Sequence, residues 1–345
     1  MARTARIFRY TLPLCQPLHL RGQVITERTG LLLCLEEDSG ATGWGEAAPL
    51  PGFSREILLD ARADLQFGAE MWIEGTTPAE SACPSADFAL RAAVANLHPA
   101  ENTSTSLTVN ALLSGNQADI LARAGELHAQ GYRAAKLKVG TTAPDADAEL
   151  TRAVRATLHP DVRLRLDANR AWTWAQALRF AERIEDCAIE YIEEPLDDPA
   201  QLLEWREKTA LPYALDETLQ EATWKPPHDR EKLQPLFQQA AAWVWKPTLA
   251  HESLVQALQS TGANPPIILS AAHESGVGIA AIARLAARYS GPDTPVGLDT
   301  YRGLTADVLQ EPLPMLGAGV RLEPVLTSAR RVDTARLALL WRQGA

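Results

Sequence analysis

Between residues 134 and 247 the chain repeats one pattern five times. A short apolar run with strand-like alternation ends in a charged residue, and a stretch of helical periodicity follows most of these runs. The runs are AAKLKVG (134–140), RLRLDAN (163–169), YIEEP (191–195), YALDET (213–218) and AWVWKP (242–247). Their closing charges are Lys138, Asp167, Glu193, Asp216 and Lys246, which lie 29, 26, 23 and 30 residues apart. Each interval is the length of one strand–helix unit. Further strand candidates are Leu107–Ala111, Ile267–Ser270 and Pro295–Leu298, and helical stretches cover 116–130, 144–157, 173–186, 199–208, 250–261 and 276–289. Strands alternating with helices at this pitch build a parallel sheet. Seven or eight such units close into a TIM-like (β/α)7–8 barrel, an α/β fold, rather than an open sheet.

The flanking segments differ in texture. ARIFRYTLPL is extended, residues 30–50 read as a hairpin turning at Asp38–Gly40, and 54–75 and 84–98 carry helical spacing. The polar stretch 99–105 marks a boundary, and 310–345 returns to mixed texture that packs back on the N-terminal part. A length of 345 residues suits this two-part plan. With 33 basic against 43 acidic residues the net charge is −10, which argues against a nucleic-acid binder. No apolar run is long enough to cross a membrane as a helix. The four cysteines (Cys15, Cys34, Cys83, Cys187) are scattered and form no CxxC, so they read as reduced thiols of a cytoplasmic protein. Oligomeric state is not legible.

The strand-end charges carry the chemistry. The C-terminal mouth of a barrel is where such folds place their sites. Asp167, Glu193 and Asp216 on adjacent strands would repel one another if bare, and a divalent cation removes that conflict. An all-oxygen donor set suits Mg2+, and admits Mn2+. Lysines flank the carboxylates on both sides. Lys136 and Lys138 share one strand face, so Lys136 lowers the pKa of Lys138 and makes it a usable base. Such a base can take a proton from carbon beside a carboxylate, which makes a small-molecule carboxylate the expected substrate. A single charged strand end is usually a cap or a surface residue. Five in phase on consecutive strands are not explained that way.

Other residues fall near the same mouth. Asn169 orients the site or merely turns the chain. Arg165 points into the barrel in a structural or a site role. Ser270 and the loop 271–276 line the mouth, and the helix opening at Gly276 offers its N-terminus to a substrate carboxylate. Glu194 and Glu217 stand one residue out of phase and should face away, which leaves them a role in supporting the neighbouring carboxylates or in the structure. His251–Glu252 and His273–Glu274 are not HExxH, because no histidine follows at the required place.

The set KLK, LDAN, YIEEP, LDET and WKP resembles the enolase superfamily in its muconate-lactonizing subgroup. RLRLDANRAWT (163–173), YIEEPL (191–196), GWGEAAPLPGFS (43–54) and GLDTY (297–301) extend the similarity over nearly the whole chain. The resemblance implies that Asp167, Glu193 and Asp216 are metal ligands and that Lys138 is the acid/base. It implies that Lys246, across the site, stabilises an enediolate through a cation–π contact. It also implies an α+β capping domain over 1–105, a catalytic barrel over 106–310, and a segment 311–345 returning to the cap. Leu20–Thr29 and Leu50–Ser54 would be the capping loops. The implied activity is that of a hydro-lyase of menaquinone or phylloquinone biosynthesis. It would dehydrate 2-succinyl-6-hydroxy-2,4-cyclohexadiene-1-carboxylate to 2-succinylbenzoate. N-succinylamino acid racemases, dipeptide epimerases and muconate cycloisomerases use the same five residues and remain alternatives. A Schiff-base aldolase on Lys246 would leave the three carboxylates without a purpose.

Overall fold

The computed structural model describes residues 2–20, 22–76, 78–98, 105–315 and 317–344. Most of the boundary stretch 99–105 lies outside the described residues. The chain opens with a long antiparallel hairpin, β1 (Arg3–Leu20) and β2 (Gln23–Glu37), followed by β3 (Thr42–Ala47). Helices α1 (Leu58–Ile73) and α2 (Pro84–Leu97) lie on this sheet. The run LLLCL in β2 is apolar at every position because both faces of the strand are covered. Leu31, Leu33 and Leu35 pack with Ala5, Ile7 and Ala47 beneath α1 and α2. Leu32 and Cys34 turn the other way with Phe8, Tyr10 and Trp44 and join the main core. Gly43 and Gly45 allow α2 to lie directly on β3: a Cβ at Gly45 would stand 1.8 Å from the Ala89 carbonyl oxygen.

Next come β4 (Ser106–Thr108), β5 (Ala111–Leu113), α3 (Gln117–Glu126), β6 (Ala134–Lys138), α4 (Pro144–Thr157), β7 (Arg163–Asp167), α5 (Trp174–Arg183) and β8 (Tyr191–Glu193). Then follow α6 (Leu202–Thr209), β9 (Tyr213–Leu215), α7 (Glu217–Thr223), α8 (Pro227–Lys232), α9 (Gln234–Gln239), β10 (Ala242–Trp245), α10 (Glu252–Ser260), β11 (Ile267–Leu269) and α11 (Gly276–Tyr289). The chain closes with β12 (Gly319–Arg321), α12 (Leu322–Ser328) and β13 (Ala338–Gly344). Local signals account for many of these elements. In α5, for example, Thr173 and Gln176 form a capping box, and Ala177, Phe180 and Ala181 supply the i, i+3, i+4 stripe that faces the sheet.

Strands β5 to β11 form one parallel sheet in sequence order. Parallel bridges from Val109 to Val296 and from Ser270 to Gly297 close the ring. The expected strand Pro295–Leu298 is therefore an eighth stave made of bridges rather than a regular strand. The expected strand Leu107–Ala111 splits in two. Its first part, β4, leaves the barrel to pair antiparallel with β12, while the Asn110 N–H returns to the Val296 carbonyl. At the far end, β13 pairs antiparallel with the free edge of β1. The C-terminal residues thus complete the N-terminal sheet. Among the described residues no helix is long and apolar enough to cross a membrane.

Leu20–Thr29 is not a loop in its described part but the tip of the β1–β2 hairpin. That tip reaches the barrel mouth. Ile25, Leu50, Leu249 and Ala272 form a small apolar cluster with Leu14, Leu18, Leu20 and Phe53 packed against it. A patch contributed by both parts of the chain therefore seals one side of the mouth against water.

Candidate active site

The barrel register sets the site's geometry. Lys138 is the direct neighbour of Asp167 on β7, and Asp167 of Glu193 on β8, so the three lie in one layer. Asp216 caps the end of β9, Lys246 follows β10 and Ser270 follows β11. Asp167, Glu193 and Asp216 are fully buried. Lys136 Nζ lies 3.0 Å from Asp167 and 3.2 Å from Glu193, bridging the two. Lys138 Nζ donates to Asp167 Oδ2 at 2.6 Å and to Asn169 Oδ1 at 2.7 Å. Lys246 pairs with Asp216 and stands 5.6 Å over the Phe53 ring of the capping loop. The structure thus brings Lys136, Lys138, Asp167, Asn169, Glu193, Asp216 and Lys246 together.

Charge balance in this cluster is severe. Burial opposes ionisation of Asp167, but the ammonium groups of Lys136, Lys138 and Lys246 outweigh it and hold the carboxyl well below its usual range. Glu193 is pushed the other way, by burial and then by the negative charge of Asp167. The lysines answer in kind. Burial disfavours the Lys136 ammonium, yet Asp167 and Glu193 raise its pKa, and Asp216 and Glu193 do the same for Lys246.

The residues fit a divalent cation. Asp167 Oδ1 is buried without a partner. Glu193 lies beside the negative charges of Asp167 and Asp216, a repulsion that a cation among the three would relieve. The donor set is all oxygen. The three carboxylates do not all approach within 4.8 Å of one another; Lys136 bridges Asp167 and Glu193, and Lys246 is bound to Asp216.

Gln220 escaped the sequence reading, whereas Glu194 and Glu217 take the supporting places expected of them, Glu217 by a different route. Glu217 does not face away. It accepts from Asn169 Nδ2 at 3.1 Å, its other oxygen is buried without a partner, and burial together with Asp216 and Glu194 pushes its pKa up to about 8. The strand ends before it and α7 begins at once, which cancels the period-2 argument. Gln220 donates to Asp216 Oδ1 at 2.6 Å, one helical turn away. Glu194 accepts from the backbone of Asp216 and Thr218 at 3.0 and 2.7 Å and so fixes the start of α7. Asn169, Arg170, Glu194 and His273 all adopt positive φ. Such conformations in non-glycine residues gather where function overrides local preference.

Two expected site residues leave the set. Arg165 lies one layer below the carboxylates, where its Nε donates to Glu190 Oε2 (2.6 Å) and its Nη1 to Asn110 Oδ1 (3.0 Å) and the Pro295 carbonyl (2.7 Å). Buried and held by these contacts, it plugs the barrel floor below the level of the site. Gly276 does not receive a substrate carboxylate, because its N–H donates to Asp307 at 3.0 Å. The rest of that helix start is filled by Glu46 from β3, which accepts from the N–H groups of Ser275 and Gly278 at 2.9 and 2.8 Å and from the hydroxyls of Tyr10 and Ser275. The protein's own carboxylates take the place expected for a ligand. Ser270 remains at the mouth, its hydroxyl turned toward Gly297.

Glu46 gives a pH prediction. Burial raises its pKa from 4.5 to about 7, against the hydrogen bonds from Ser275 and Tyr10. The folded chain therefore holds this proton more tightly than the unfolded one. The contribution is full below about pH 4.5 and is lost as pH rises through about 7. Thermal melts from pH 5 to 8 should show a shallower decline for Glu46→Gln than for the unaltered chain.

The Enolase C-terminal domain-like family matches residues 119–323, and the family described as MenC, N-terminal domain, matches residues 2–97. The o-succinylbenzoate synthase of Vibrio cholerae serotype O1 is 35% identical over 321 residues, covering 90% of this chain and 93% of its own. That of Pasteurella multocida is 33% identical over 315 residues, covering 87% and 90%. Among solved structures, the muconate lactonizing enzyme from Pseudomonas fluorescens complexed with muconolactone superposes with a TM-score of 0.77 at 21% identity, covering 97% of each chain. The dipeptide epimerase from Cytophaga hutchinsonii complexed with Mg and D-Ala-L-Val does so with a TM-score of 0.74 at 18% identity, covering 93% of each. These structures share the fold, and the sequence relatives, matched along nine-tenths of the chain, place it within one branch. The chain belongs to the o-succinylbenzoate synthase family of the enolase superfamily.

Proposed function

We propose that this chain dehydrates 2-succinyl-6-hydroxy-2,4-cyclohexadiene-1-carboxylate to 2-succinylbenzoate, a step of menaquinone or phylloquinone biosynthesis. The observation that carries the reading is the layer Lys138–Asp167–Glu193, extended by Asp216 and Lys246 across five consecutive staves. Asp167, Glu193 and Asp216 would hold a divalent cation, Mg2+ by preference and Mn2+ as a substitute. When bound, the cation supplies positive charge to the ring carboxylate of the substrate.

The chain's own residues then divide the work. Lys138 is the accessible lysine: its side chain is 33% exposed, against 11% for Lys136 and 10% for Lys246. Its Nζ is steered by Asp167 and Asn169, and Glu217 in turn holds Asn169. In its neutral form Lys138 takes the proton alpha to the ring carboxylate. As an ammonium it returns a proton to the departing hydroxyl, which leaves as water while the ring becomes aromatic. Lys246 presents its charge from the opposite side, and Lys136 compensates Asp167 and Glu193 from below. Phe53 and the apolar cluster of Ile25, Leu50, Leu249 and Ala272 exclude water. In this reading residues 1–105 and 311–345 form the cap and 106–310 the catalytic barrel. The four cysteines are free thiols, in keeping with a reducing cytoplasm.

The test is turnover followed by loss of the cyclohexadiene absorbance. EDTA should abolish it, and Mg2+, or Mn2+ to a lesser degree, should restore it. Undiminished turnover in EDTA would refute the metal assignment. Proton exchange on N-succinylamino acids without dehydration would make the chain a racemase instead.

A further inference from the structure

We infer that His273 is a specificity-determining residue that recognises the succinyl arm of the substrate with an imidazole N–H. The inference rests on the reaction proposed above. His273 lies three residues past Ser270 in the loop between β11 and α11, at the barrel mouth. Its φ of +63° is left-handed, a conformation that a histidine does not choose locally. The loop is clamped there. Arg28 of β2, buried beside Ala48 and Pro49, whose carbonyls it binds at 2.8 and 3.1 Å, also donates to the His273 carbonyl at 3.2 Å. Glu274 accepts from the Ala272 N–H at 2.6 Å and from the Thr248 hydroxyl.

The other polar side chains of this loop have partners, Glu274 with Thr248 and Ser275 with Glu46, and the Gly276 N–H is taken by Asp307. The His273 imidazole has none. Its Nδ1 is buried with no hydrogen-bond partner, beside the bare backbone of Gly303, and neither nitrogen bonds elsewhere among the described residues. An unpartnered lone pair at a sealed position is less costly than an unpartnered N–H donor. The proton therefore sits on Nε2, the nitrogen left accessible.

Burial, and then the positive charges of Arg28, Lys138, Lys246 and Lys136, pull the imidazole pKa down to about 3, so the ring stays neutral. A neutral ring that cannot hold a second proton is no acid for the hydroxyl. It is a directional donor set in a positive field. The substrate presents one carboxylate on the ring, which the reaction occupies, and a second at the end of the succinyl arm. The field draws that second anion toward the cap side of the mouth, and the Nε2–H fixes its orientation.

Two substitutions separate the nitrogens. His273→Asn tolerates left-handed φ and places its amide near the Nδ1 position, whereas His273→Gln reaches the Nε2 position. Each Mg2+-loaded variant would be titrated with 2-succinylbenzoate and with benzoate, which lacks the arm, and its melting temperature and KM and kcat measured. We expect His273→Asn to weaken 2-succinylbenzoate about 10-fold or more, the scale of one hydrogen bond to a charged group. Benzoate should change less than about twofold, and KM should rise far more than kcat falls. His273→Gln should recover most of the loss. Equal losses for both ligands, or no loss for 2-succinylbenzoate, would overturn the assignment. Because binding is read without turnover, a failure of the unaltered chain to dehydrate its substrate would count against the reaction and leave this contact to be judged by the titrations.

Discussion

Replacing Lys138 by alanine should lower kcat by about 10²- to 10⁴-fold, the contribution of a positioned general base. Binding of 2-succinylbenzoate should persist. The reasoning is geometric. Three lysines enter the cluster, but Lys136 is locked between Asp167 and Glu193 and Lys246 is bound to Asp216. Only Lys138 combines exposure to the mouth with a polar cradle, from Asp167 and Asn169, that holds its nitrogen without enclosing it. Asp167 keeps Lys136 as a partner after the substitution, so the fold should survive. Single-turnover measurements with saturating Mg2+ would separate the chemical step from binding. A fall smaller than about tenfold would mean that another group removes the proton.

Arg165→Ala should destabilise the fold by about 2–6 kcal/mol, the cost of leaving two buried acceptors without their donors. Arg165 lies in the barrel floor, its guanidinium shared among Glu190, Asn110 and the Pro295 carbonyl and stacked 5.4 Å over Tyr191. Glu190 would keep Arg163, but Asn110 and the Pro295 carbonyl would lose their donor in a site water enters poorly. These two belong to the first and the eighth stave, so the loss loosens the seam where the barrel closes. Denaturant unfolding would measure the effect. If stability held and only KM rose, Arg165 would be a substrate residue after all.

Much of the site was readable because a parallel βα unit converts sequence spacing into spatial adjacency. A charge at the end of each strand, once per unit, must arrive at the same mouth. Period 2 places Lys136 with Lys138 and Arg165 with Asp167 on the inner face. That rule lapses where a strand stops. Glu217 keeps the supporting role expected of it but not the expected direction, because it opens α7 and turns back to Asn169. It also cannot tell one interior layer from the next. Arg165 and Asp167 share a face, but only Asp167 stands at the level of Glu193.

The helix start at Gly276 shows the other limit. An N-terminus with two glycines reads as an anion site, and it is one. Its anions are Glu46, more than two hundred residues earlier, and Asp307, both from the chain itself. No local pattern announces a cap supplied from another layer. His273 was legible as part of a loop at the mouth, but its position against Arg28 and Gly303 exists only once hairpin, loop and barrel are assembled.

The barrel and the charges at its strand ends are legible in one dimension, because periodicity and unit length are local properties of the chain. The tertiary structure alone decided which charges are bare and which are already partnered. That depends on contacts between distant segments, and in a buried site each polar group must find such a contact or be left for a ligand.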